Sequence, residues 1–126
     1  MHHSRLAAFV IDCQTGSVAD AAKFWGNALG RKVSIPGNEG DRYRDLESAA
    51  TEAQLMVQAV EHPSRIHLDV ESDDLDAEVA RLEKLGARRV GFVKRWWVME
   101  APTGQRFCVV NPQRGPLTDA NANRWE

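Results

Sequence analysis

RIHLDVESDDLDAEVARLEKLG, residues 65–86, is the stretch from which the fold is read. Arg65 to Glu71 is an alternating, β-branched run and predicts a strand with Leu68 and Val70 toward a helix. That leaves His67, Asp69 and Glu71 on the opposite side. Leu75, Val79, Leu82 and Leu85 then recur at helical spacing. Asp73 is the expected N-cap, with Asp76 at the third helical position, and both carboxylates complement the positive end of the helix. Gly86 supplies the stop.

The same order stands upstream. RLAAFVIDC (5–13) predicts a buried strand, and Gln14 to Gly16 breaks it. Val18, Ala22, Trp25 and Leu29 follow at helical spacing, with Ser17 as N-cap, Asp20 three positions on, and Gly30 as the stop. One helix ends Ala28-Leu29-Gly30 and the other Lys84-Leu85-Gly86. Three strand-like runs follow each: KVSIP, RYRDLES and AQLMVQAV in the first half, RRVGFV, RWWVME and RFCVV in the second, the last two joined at a Pro102-Thr103-Gly104 turn. An internal repeat of strand, helix and three strands results. It predicts an α+β domain of tandem βαβββ modules, about 5–60 and 65–112, whose curved mixed sheet surrounds a cleft. A generic α+β domain with accidental likeness between its halves is the alternative. One domain over 1–112 is expected, with a polar, extended or disordered tail at 113–126 that Trp125 could anchor to a neighbour.

The 126 residues are 43% hydrophobic and 27% charged, which suits one globular core. A net charge of -2 leaves no basic excess for nucleic acid. No apolar run is long enough to enter a membrane. Cys13 and Cys108 lie in apolar runs, so a reduced, cytoplasmic setting is expected. Cys pairs at zinc spacing, a phosphate-binding glycine loop and a nucleophile elbow are all missing, which argues against the common nucleotide and hydrolase readings. His2 and His3 read as part of a flexible terminus without a role.

FVIDC, AAKFWGNALG, RIHLDV, DDLDAEVARLEKLGARRV and APTGQRFCVV, taken in order, resemble the vicinal-oxygen-chelate superfamily in its glyoxalase-like and bleomycin-resistance-like branch. The likeness runs from about Arg5 to Pro112. It implies a cleft in which up to four side chains, one from the first and one from the last strand of each module, hold a divalent metal acting as a Lewis acid. Carried over, the first-strand positions fall near Ala8 and at His67. The last-strand positions fall at Met56 or Gln58 and at Cys108, where the family commonly has Glu. His67 is then the one strong metal candidate, and the site reads as degenerate. The resemblance therefore implies a protein that holds or sequesters a small organic ligand without metal. The alternative is a metal-dependent lyase, isomerase or dioxygenase using Zn, Ni, Fe or Mn. A homodimer is implied as well, with Phe92 or Trp125 available for its contact.

The expected ligand-binding residues are His67, Asp69, Gln58, Tyr43, Trp96, Trp97 and Cys108. An imidazole at the cleft floor can ligate, shuttle a proton or hydrogen-bond a ligand; as a core group it would pair with Asp69 or a carbonyl. Trp96 and Trp97 must point to opposite faces of one strand, and whichever meets the cleft offers a flat wall. Arg42 and Arg44 either line the same space as Tyr43 and favour an anion, or form a solvated face. Asp12 sits in the first strand as Asp69 sits in its repeat, as a cleft carboxylate or a strand-end group. Cys108 reads as a buried inert thiol unless a cation lies near it. Trp25 is assigned to the core and Phe24 to a sheet edge or a dimer contact.

Overall fold

The computed structural model describes residues 1–35 and 41–126. Its elements are β1 (His2–Gln14), α1 (Val18–Leu29), β2 (Val33–Ile35), β3 (Tyr43–Leu46), β4 (Gln54–Val60), β5 (Arg65–Ser72), α2 (Leu75–Lys84), β6 (Arg88–Val93), β7 (Trp96–Glu100), β8 (Arg106–Val110) and β9 (Asn123–Trp125). Strand, helix and three strands thus occur twice, as the repeat requires. The fold is α+β with mixed strand pairing. Two compact units contain these elements, one of residues 8–67 and one of residues 1–7 with 68–126.

In the first unit the strands run in the order β2, β3, β4, β1, with β1 parallel to β4 and the others antiparallel. Ser17 caps α1 by accepting the Asp20 amide, and Gly30 ends it in the left-handed region at φ 67. The helix buries Val18 and Ala22 against Ile11, Leu46, Val57 and Ala59, with Trp25 and Cys13 packed at the margin. Phe24 stays 62% exposed and meets Trp25 edge to face. Since side chains alternate along a strand, the face away from α1 carries Val10 and Asp12 of β1, Met56 and Gln58 of β4, and Tyr43 of β3.

The second unit repeats the plan as β5, β8, β7, β6, with β5 parallel to β8. Helix α2 buries Val79 against Met99 and Val109, flanked by Trp97 and Phe107. Its N-cap is Asp74, which accepts the Ala77 amide, and not Asp73. Asp73 is instead taken by His3, which bonds it through both backbone and ring.

The chain ends differ most from expectation. His2 and His3 are buried at 8% and 7% exposure inside β1, not part of a loose terminus. The last residues are ordered: β9 pairs antiparallel with the start of β1, Leu117 is buried, and Trp125 donates its indole N–H to Ser4 at 2.8 Å beneath the Arg81 guanidinium. Trp125 anchors to its own chain. A polar composition concealed two apolar anchors spaced too far apart to register as a pattern.

Candidate functional site

A row of polar side chains crosses the first unit's sheet on the face away from α1. Asp12 of β1 pairs in register with Gln58 of β4, which pairs with Tyr43 of β3. Asp12 is 2% exposed and its Oδ2 lies 2.7 Å from His67 Nδ1. Gln58 donates its amide N–H to the Tyr43 hydroxyl at 2.9 Å. Asp12 Oδ1 is a buried side-chain oxygen with no hydrogen-bond partner among the described residues. A buried carboxylate with one bond is costly to maintain, and such groups concentrate at functional sites. Beside the polar row stand Val10 and Met56, paired with each other, and Asp45, whose carboxyl burial pushes up from its ordinary value.

His67 and Asp69 project from one side of the single strand β5, two residues apart, and Asp69 pairs in register with Cys108 on β8. One donor atom from each of these three lies within 4.8 Å of the others, a neighbourhood set by one strand and its ladder. Nitrogen, carboxylate oxygen and thiolate sulfur together suit a borderline ion such as zinc better than a hard, oxygen-seeking one. Three donors also leave room for a fourth ligand. All three are half-buried, and both cysteines are free thiols.

Asp12 faces Gln58 and Val10 faces Met56, as Asp69 faces Cys108, so Gln58 is the counterpart of Cys108 where Asp12 is matched with Asp69, and Met56 is where Val10 is. The first matching sets Val10 where His67 stands, and the second sets Ala8 there. Neither Val10 nor Ala8 can ligate, and Gln58 donates to the Tyr43 hydroxyl. Asp69 is the donor that position-by-position carry-over passed over; its alternation with His67 was the available signal.

Trp97 belongs to the core, not to the site, because it packs with Val79, Met99 and Val109. Trp96 lies on the other face of β7. Arg44 shares the α1 side of β3 with Leu46, whereas Tyr43 points the opposite way, so the two do not line one space. Arg42 donates to the Ala59 carbonyl at 3.0 Å. Both arginines border a different cavity of about 440 Å³ at the start of α1, lined also by Thr15, Ser17 and Asp41. Phe92 stacks edge to face on Trp97.

The profile of the glyoxalase-like domain family matches residues 8–110. The chain belongs to that family. Solved structures share the fold of this glyoxalase-like protein at low identity. A hypothetical protein of Bacillus halodurans is 9% identical at TM-score 0.60, over 91% of this chain and 99% of its own. A glyoxalase/bleomycin resistance protein/dioxygenase superfamily member from Vibrio splendidus is 15% identical at TM-score 0.54, over 84% and 98%. An extradiol ring-cleaving dioxygenase from B. fuscum is 19% identical at TM-score 0.55, over 85% of this chain but 32% of its own. No curated protein sequence matches the chain. No helix among the described residues is long and apolar enough to cross a membrane.

Proposed function

We propose that this glyoxalase-like protein binds a small organic ligand on the face that carries the Asp12, Gln58 and Tyr43 row. The observation that supports this most is the buried Asp12–His67 pair standing in line with the Gln58–Tyr43 pair. A polar row beside the half-buried Met56 offers directional hydrogen bonds next to an apolar side chain, the usual make-up of a small-molecule site. Tyr43, 39% exposed, is the movable member, and its hydroxyl can turn from Gln58 to a ligand. Asp12 fixes the ring orientation of His67, so the imidazole presents a constant hydrogen-bonding pattern.

A thermal-shift screen of aromatic and polar small molecules, run with chelator present, tests this reading. Hits should raise the melting temperature by mass action, and Tyr43→Phe with Gln58→Leu should abolish the rise. Hits that stabilise the double variant as well as the wild type would overturn it.

The His67, Asp69 and Cys108 grouping favours a second reading, a metal-dependent enzyme of the superfamily. A bound ion there would supply Lewis acidity, and His67, Asp69 and Cys108 would hold it. Elemental analysis of protein purified without chelator separates the two. Near-stoichiometric Zn, Ni, Fe or Mn, lost in His67→Ala, selects the enzyme.

A further inference from the structure

Both ring nitrogens of His3 face carboxylates. Nδ1 lies 2.7 Å from Asp73 Oδ2 and Nε2 lies 2.7 Å from Asp119 Oδ1. A neutral imidazole donates from one nitrogen only, so satisfying two carboxylates takes both ring protons and a positive ring. The backbone of His3 is tied to the same turn: its amide donates to Asp73 Oδ1 at 2.7 Å, and its carbonyl accepts from the Ser72 hydroxyl at 2.8 Å and the Asp73 amide at 3.3 Å. The C-terminal segment arrives from the other side, where Trp125, Arg124 and Asn123 pair with His2, His3 and Ser4.

We propose that His3 is a proton-dependent clasp that holds the segment from Thr118 to Glu126 against the start of β1 and loosens it when the ring loses a proton. Deprotonation sets a lone pair against a carboxylate at hydrogen-bond distance, and one of the two must withdraw. Asp73 is held by the His3 amide and is 34% exposed as a side chain; Asp119 is 63% exposed near a chain end. Asp119 is the partner that leaves.

The surrounding charges work in the same direction. Asp119 and then Asp73 hold the His3 imidazole above its ordinary value, against burial. Asp119 is held below the usual carboxylate range by His3 first, and further by Arg124, which also bonds Glu126 at 2.8 Å. Burial raises the Asp73 carboxyl, but the His3 amide and ring outweigh it. From α2, Glu78 is taken up by His2 and Arg81, and on β1 Arg5 is paired with Glu71. Because the folded-state value of His3 is raised, the clasp is fully formed below the unfolded value of about 6.5 and is lost as pH rises through the folded one.

Amide exchange of the full chain, read by mass spectrometry over residues 118–126 and corrected for intrinsic rates, tests the clasp. Protection should be high at about pH 6 and lower by about tenfold or more at about pH 9, tracking titration of the His3 ring by NMR. Asp119→Asn, at an exposed position that leaves folding intact, should remove most of that protection at the lower pH and flatten the profile. His3→Gln should flatten it too. Equal protection of the wild-type segment at both pH values would overturn the proposal, as would an Asp119→Asn profile like the wild type.

Discussion

Removing the Asp12 carboxylate tests whether the polar row is built for stability or for ligand. In Asp12→Ala, His67 loses a 2.7 Å bond to a buried charged partner, and such bonds contribute about 1.5–3 kcal/mol. Against that, the substitution relieves burial of a carboxylate at 2% exposure whose Oδ1 has no partner among the described residues, a strain of about 1–3 kcal/mol. The His67 side chain is 13% exposed, so water recovers part of what its ring loses. The two contributions nearly cancel, and urea unfolding should show a stability change of no more than about 1 kcal/mol either way. Ring orientation is a different matter, because nothing of Asp12 then remains to select the protonated nitrogen. Nitrogen-15 spectra of the His67 imidazole should show a changed tautomer balance, and ligands found by the thermal-shift screen should bind at least about tenfold more weakly, about 1.4 kcal/mol. A stability loss above about 3 kcal/mol would show that Asp12 is a well-compensated structural anchor and refute the offset. Unchanged imidazole spectra would refute the orienting role.

Three further outcomes are expected. Gly26→Ala gains about 1 kcal/mol of helix propensity but sets a Cβ 2.7 Å from the Arg31 carbonyl oxygen, a backbone atom; the net should be a loss of about 1–2 kcal/mol by urea unfolding, and a gain would mean that the α1 exit relaxes freely. Met99→Ala empties the centre of the second unit, where Met99 is fully buried, and should cost about 3 kcal/mol with little change in the denaturant slope. Burial raises the Glu78 carboxyl, but bonds from Arg81, Ser4 and His2 outweigh it and leave the group below its ordinary value. Its contribution to stability is therefore present above the unfolded value of about 4.3 and lost as pH falls through the lowered folded value, and Glu78→Gln should shrink the acid-side fall of a stability-against-pH curve.

Local chemistry was readable with little loss. Ser17 caps α1 as its position before Val18 implied, and Gly30 ends the helix as Ala28-Leu29-Gly30 implied. One cap slipped by a residue: Asp73 and Asp74 are both competent, and the choice between them was made by His3, seventy positions away in the chain. Of the site, His67 and Asp69 were legible because alternation set them opposite Leu68 and Val70. The pairing of Trp97 with the core, and of Tyr43 with Gln58, needed the strand registers. His2, His3 and Trp125 were misread because their partners lie at the far end of the chain or on another element.

Periodicities of two and 3.6 residues, helix caps and the repeated order of elements act over a few neighbours, so the residue string alone determined the strands of the two modules, both helices and the doubled βαβββ plan, but not β9 or the start of β1. Which side chains meet was decided only in three dimensions. Asp12 and His67 are 55 residues apart, and His3 and Asp119 are 116 apart. Such meetings depend on which strands become neighbours and in what register, where a slip of one residue turns every side chain to the opposite face.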